Sequence, residues 1–340
     1  MAFPYVRRTL AAAVLALACA GASHALSAPE PTAPASTNET LQHSLEALAQ
    51  RAHPGVLGIA VLDLNSGASA RVNADQAFPM MSVFKAPVAA AVLSHIDSGT
   101  LSLQQPVTIT RDQVMGGSAI PSIGANFRGE RMTFTVEQLL KAAVSESDNT
   151  AVNALIRTLG GPSVVTDYLR AHGIDGMRID IDEAVVAQVF DGLRPGEKEP
   201  FDESHAAAKE RYEHGYQAFL ADPRNRSTPD AAIVFLHKLV GRELLSPAST
   251  QRLLALMEAQ TIPNRLRAGL PQGVRLADKT GSSGSLGERR AAYNDIGIVT
   301  WPDGHRVLVA AFLLDSPGSD KARDALYADI ARSVVAATHP

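Results

Sequence analysis

The chain has 340 residues, 46% of them hydrophobic and 19% charged, with a formal net charge of −4. That length can bury a sizeable core in one large domain or two lobes, and the acidic balance argues against nucleic acid as a partner. A single cysteine, Cys19, excludes a disulfide framework and a cysteine-ligated metal site.

Arg7 and Arg8 precede an uncharged apolar run over residues 10–20, and Ser23-His24-Ala25 offers small residues where a signal peptidase reads. Residues 1–25 are therefore expected to be a secretory signal peptide, placing the mature protein in the periplasm or outside the cell. Lipidation at Cys19 is the rival reading. Removing this segment takes away both arginines and no acid, so the mature chain is more acidic still. Residues 26–40, rich in Pro, Ala, Ser and Thr, read as a disordered leader to a catalytic domain over 41–340. No second long apolar run follows, so no membrane span is expected.

Helical spacing of apolar residues predicts a helix over 41–51, stopped by His53-Pro54-Gly55. Residues 56–62 and 70–72 read as a hairpin about Asn65-Ser66-Gly67. Helices are then expected over 82–98, 136–143, 150–159, 162–172, 230–239 and 248–259, with Gly160-Gly161 and Gly241 as stops. Residues 188–227 form a charged insert with a surface helix near 206–219. Strand patterns return at 274–280, 292–301 and 307–314, and a helix over 320–337 closes the chain. Strands at both ends and helices between predict an α/β lobe (41–81 with 262–340) around an antiparallel sheet, and an all-α lobe (82–261) carrying the insert.

Three short motifs carry chemistry. Ser82-Val-Phe-Lys85 sets a hydroxyl and an ammonium one helical turn apart, so the amine can help remove the proton that makes serine a poor nucleophile. Alone, this is equally a helix start with a solvated lysine. Its flanks, Met80, Met81 and residues 86–93, are apolar, however, and a lysine buried there needs a reason. Ser147-Asp148-Asn149 is either a helix cap or a second hydroxyl with an amide that holds a carbonyl. Lys279-Thr280-Gly281, followed by Ser282 and Ser283, is either an edge strand or an anchor for a substrate carboxylate, with backbone N–H groups for an oxyanion. Either triplet is expected in only about one chain in ten or twenty, and all three motifs in this order in about one in a thousand, from composition alone.

The set resembles the penicillin-recognising serine enzymes, and within them the class A β-lactamases. Residues 147–151 (Ser-Asp-Asn-Thr-Ala), residues 277–281 (Ala-Asp-Lys-Thr-Gly) and Asn294-Asp295 carry the resemblance, which covers most of the mature chain. It implies that Ser82 is acylated, Lys85 joins its proton network and Ser147 passes a proton to the departing nitrogen. Asn149 would hold the acylamide side chain, and Lys279, Thr280 and Gly281 the substrate carboxylate. The backbone of Ser82 and Ser282 would form the oxyanion hole. Arg265 or Arg290 would support the carboxylate.

Family members hydrolyse the acyl-enzyme with a loop glutamate. Glu183, judged by its spacing from Arg178, is the expected carboxylate, with Asp180 and Asp182 as rivals. The chain departs from the family at Ala187, where many members have a water-holding asparagine, and in the length of the insert. His205, Glu210 and His214 fit no standard metal spacing, and no cofactor is expected. The expected partner is a β-lactam, met by a monomer. A D-alanyl-D-alanine peptidase, or a module that binds β-lactams or peptidoglycan without turnover, remains the alternative.

Overall fold

Helix α1 (Thr37–Arg51) is the first described element of the computed structural model, which describes residues 37–194 and 196–339. The leader was expected to reach residue 40. Instead Thr37–Arg51 is helical: residues 38–40 form an exposed polar first turn, and the helix buries Leu41, Leu45 and Leu48 on one face. The expected signal peptide, Cys19 and the leader up to residue 36 lie outside the described residues.

The chain continues through β1 (Val56–Asp63), β2 (Ser69–Val72) and β3 (Phe78–Pro79), then a 3₁₀ turn (Met81–Phe84) leading into α2 (Lys85–Asp97). Next come β4 (Pro106–Thr110), α3 (Ser122–Asn126), β5 (Arg131–Thr135), α4 (Val136–Ser145), α5 (Asn149–Leu159), α6 (Pro162–Ala171) and α7 (Glu183–Phe190). They are followed by α8 (His205–Ala221), β6 (Arg226–Ser227), α9 (Pro229–Val240) and α10 (Pro247–Glu258). The last elements are β7 (Arg275–Ser282), β8 (Ser285–Leu286), β9 (Arg289–Thr300), β10 (Arg306–Ser316) and α11 (Asp320–Thr338). All of these elements lie in one compact unit.

The main sheet is antiparallel, in the order β2-β1-β10-β9-β7, with β8 on β9. Both faces are buried, so its strands are nearly continuous apolar runs whose alternate residues serve two cores. Val307, Val309, Ala311 and Leu313 of β10 pack with α1 and α11. Leu308, Ala310 and Phe312 pack the other way, with α2, α5 and α9. The fold class read from the sequence is borne out.

The middle of the chain is not purely helical, as had been expected. β4 and β5 form a two-stranded antiparallel sheet with Thr108 opposite Thr133, and β3 pairs with β6. The β4 and β5 segments are short and mostly half-exposed, so their apolar signal is weak. Helix α7 was also unforeseen, since its valines favour strands. Its start is nevertheless fixed by Asp182, whose side chain accepts from Val185 N–H at 3.1 Å.

In the insert, α8 spans His205–Ala221 and packs on α7 and the β8–β9 edge. Gly215 makes this approach possible: a Cβ there would lie 2.3 Å from Phe190 O and 2.4 Å from Gly192 N. Phe190 contacts Tyr212, Tyr216 and Phe219 edge-on in a small separate core with Val186 and Ala292. Asn225 clamps the two ends of the loop. Its Oδ1 accepts from Asp180 and Ile181 N–H, and its Nδ2 donates to Ile181 O.

Candidate active site

Ser82 lies in the 3₁₀ turn, half-buried, and it caps no helix. Three contacts fix that turn. Met80 N–H donates to Asn225 O at 3.0 Å. Asn294 of β9 donates through Nδ2 to Pro79 O at 2.8 Å and Met80 O at 3.0 Å. Gly281 of β7 presses against it so closely that a Cβ would meet Met80 O at 2.5 Å and Ser82 N at 3.1 Å. Only glycine lets the strand edge and the serine turn approach this far.

Lys85, one turn on, is fully buried rather than solvated. Its Nζ donates to Ser147 O at 2.7 Å and to Asn149 Oδ1 at 2.5 Å, and lies 3.4 Å from Ser147 Oγ and 3.6 Å from Glu183 Oε1. Burial pushes its pKa below the ordinary lysine value, while the charges of Glu183 and Asp148 oppose that fall.

In Ser147-Asp148-Asn149 the capping and functional readings divide between residues. Asp148 is the cap, its Oδ1 accepting from Ala151 N–H at 2.8 Å and its Oδ2 from Ile123 N–H at 3.0 Å. That leaves the Ser147 hydroxyl free to face the lysines. Ser147 holds a left-handed φ of +57°, and Met81 beside Ser82 (+48°) and Arg265 (+62°) do the same. Strained backbone at three positions round one cleft costs of order 1–3 kcal/mol each and marks imposed geometry. Asn149 donates through Nδ2 to Gly116 O at 3.1 Å while its Oδ1 accepts from Lys85, so its amide is already engaged at both ends.

Lys279 of β7 is also fully buried. Its Nζ donates to Ser147 Oγ at 3.0 Å and to Thr280 O at 3.0 Å. Burial, reinforced by the charge of Lys85, drives its pKa well down against the pull of Asp278. Ser147 Oγ therefore bridges the two amines.

Glu183, the first residue of α7, is 5% exposed, and its N–H donates to Asn153 Oδ1 at 3.0 Å. Its Oε1 is buried and has no hydrogen-bond partner among the described residues. The rival carboxylates are occupied elsewhere. Asp180 pairs with Arg178 at 2.7 Å, and Asp182 caps α7. Ala187 follows one turn after Glu183, exposed and on the cleft wall.

Arg265 lies beneath the strand edge with its guanidinium over the Tyr293 ring at 3.8 Å. It donates to Gly281 O at 3.2 Å and to Asn294 O and Ser282 Oγ. It holds β7 in place, with those donors directed to protein acceptors. Arg290 donates to Ser283 O at 2.7 Å and pairs with Asp320 at 2.9 Å.

Ser82, Ser147, Asn149, Glu183, Arg265, Thr280, Gly281 and Ser282 line one cleft of about 780 Å³, with Lys85 and Lys279 buried in contact with its lining. Sequence reasoning missed part of that lining: Met115, Gly116, Gly117 and Ala119 on one side, Asp191 and Tyr212 on another. It also missed Asn153, which steadies Glu183. A helix-interior asparagine is a poor helix former, and that was the available signal.

A family model described as the β-lactamase enzyme family matches residues 40–338. The chain is 32% identical over 278 residues to the extended-spectrum β-lactamase PER-1 of Pseudomonas aeruginosa, covering 82% of this chain and 80% of that protein. It is 33% identical over 286 residues to a β-lactamase of Streptomyces albus G, covering 83% and 80%. Among solved structures, a β-lactamase from Chitinophaga pinensis superposes with a TM-score of 0.73 at 32% identity, covering 88% of this chain and all of that one, 100%. An ancestral class A β-lactamase superposes with a TM-score of 0.70 at 34% identity, covering 87% and 99%.

Proposed function

The chain belongs to the β-lactamase enzyme family as a serine enzyme of class A, and on that premise we propose how its own residues open and hydrolyse the β-lactam amide. Ser82 Oγ attacks the lactam carbonyl and becomes acylated. Its proton leaves through the network of Lys85, Glu183 and an intervening water. An unperturbed lysine costs about 4.6 kcal/mol to neutralise at pH 7. Burial of Lys85 lowers that cost and Glu183 raises it again, so the two groups share the acylation step. The oxyanion is held by the backbone N–H groups of Ser82 and Ser282. Ser147 Oγ, bridged to Lys279, hands its proton to the departing nitrogen and regains one from the lysines.

The substrate carboxylate sits at Lys279, Thr280 and Gly281, on a strand edge that Arg265 braces. A water polarised by Glu183 then attacks the ester carbonyl, and Ser82 is released. The observation that carries this reading is the Glu183 carboxylate itself: buried, on the wall of the cleft that holds Ser82, its Oε1 3.6 Å from Lys85 and without a hydrogen-bond partner among the described residues. Residues 1–25 are read as a signal peptide, so the enzyme acts in the periplasm or outside the cell, as a monomer.

The test is steady-state hydrolysis of a chromogenic cephalosporin with intact-protein mass spectrometry on the same sample. Rapid product release with no lasting adduct is expected. A persistent adduct without product would instead favour a peptidase or a binding module.

A further inference from the structure

The face of α7 turned to the cleft reads Glu183, Val186, Ala187, Phe190, Asp191, the spacing of a single helical stripe. It is an apolar track with an acid at each end, the two separated by roughly 12 Å of helix rise. The near acid, Glu183, has the Lys85 ammonium at 3.6 Å. The far acid has no such partner. No ion pair among the described residues includes Asp191, and its neighbour Arg211 is directed to Glu199, Glu203 and the backbone carbonyl of Asp191.

Tyr212, which is 37% exposed, lines the same cleft beside Asp191, and the Asp191 charge helps hold its phenol above the ordinary pKa after burial has raised it. Arg290 across the cleft is held by Asp320 and Ser283. Burial, helped by the charge of Glu199, lifts the Asp191 carboxyl above its ordinary pKa, against the opposing pull of Tyr212 and of the Arg211 charge that Glu199 and Glu203 already engage.

This placement deepens the hydrolase reading and rests on it. A substrate acylating Ser82 must send its acyl side chain out along the cleft, and α7 is one wall of that path. We propose that Asp191, with Tyr212, forms an outer subsite that selects β-lactams whose acyl side chain ends in a cationic or N–H-donating nitrogen and disfavours those ending in a carboxylate. The apolar stretch of Val186, Ala187 and Phe190 carries the methylene portion of such a side chain, and like charge at its tip is repelled.

The test is a series of penicillins made by acylating 6-aminopenicillanic acid with ω-ammonio, unsubstituted or ω-carboxy alkanoyl chains of increasing length. The wild-type kcat/KM ratio of ammonio to carboxy substrates should rise with length to about tenfold, chiefly through KM, and shrink with added salt. In Asp191→Asn the ratio should fall to about one, and in Asp191→Lys it should invert. Because each ratio is internal to one variant, altered stability does not imitate the effect, and the wild-type salt dependence reads the same charge without mutation. A ratio near one at every length in the wild type, or one unchanged by Asp191→Asn, overturns the subsite alone. Failure of the wild type to turn over any of the series overturns the hydrolase reading and the subsite with it.

Discussion

Lys85 Nζ stands 3.6 Å from Glu183 Oε1, and that oxygen, though buried, accepts no hydrogen bond from any described residue. A buried carboxylate oxygen left in this state is costly unless it has work to do. On the proposed mechanism two jobs meet at this pair: taking a proton during acylation and orienting water during deacylation. Glu183→Ala should separate them. The ester on Ser82 should accumulate, seen as a stable mass increase, and kcat should fall by about 10²–10⁴-fold. Fast turnover by this variant would mean that another group activates the water.

Lys279 gives a prediction about stability and pH. Its proton is released in the folded state well below the ordinary lysine range. Between that lowered value and the unfolded one, near 10.4, the unfolded chain holds more protons, so stability climbs as pH rises. Below this window the folded protein must keep a buried charge. Lys279→Met should therefore lose activity yet melt higher at neutral pH, by about 2–4 °C for each 1 kcal/mol. The advantage should narrow toward pH 10. Calorimetry across that range would refute the account if the gap were constant.

Gly281→Ala should damage both the fold and the reaction. The new methyl would lie 2.5 Å from Met80 O, against backbone that cannot rotate aside. Overpacking of this kind costs about 1–3 kcal/mol. The displacement falls on the turn carrying Ser82, so the acylation rate should drop more steeply than the melting temperature. Stopped-flow acylation beside thermal unfolding reads the two separately.

Phe190→Ala should loosen the insert. The ring touches Tyr212, Tyr216 and Phe219, and its edge lies where a Cβ on Gly284 would be, 2.5 Å away. Its loss should cost about 3–5 kcal/mol if the cavity does not collapse. Because α7 also carries Glu183, deacylation should slow too. Proteolysis in the insert, together with burst kinetics, would check both effects.

The parts of this architecture legible in the sequence were those with strong periodicity or rare residue combinations. The apolar runs of β1, β9 and β10 announced a sheet because both faces are covered. Ser82 and Lys85 stood out because they are set in apolar flanks, Ser147 and Lys279 because their triplets are rare. What escaped was contextual. β4 and β5 lie far apart in sequence and are half-exposed, so neither carries a strong pattern. Asp191 and Tyr212 look like ordinary surface residues until two helices place them on one wall. Arg265 could be named but not given a task, since its hydrogen bonds run to backbone and hydroxyl acceptors that only the folded strand edge brings together.

Strand β1 pairs with β10, Val56 opposite Leu314, and the Ser82 turn leans on Gly281 and Asn294. The nucleophile therefore has no finished surroundings until almost the whole polypeptide has been synthesised. Contacts between such distant segments form late and slowly. On the proposed role of Ser82, a nascent or truncated chain ending before β9, and so without Asn294, should carry that serine as an inert alcohol. On that reading, competence for chemistry arrives only with full-length folding, and the proposed export of an unfolded precursor would carry across a catalyst that is still switched off.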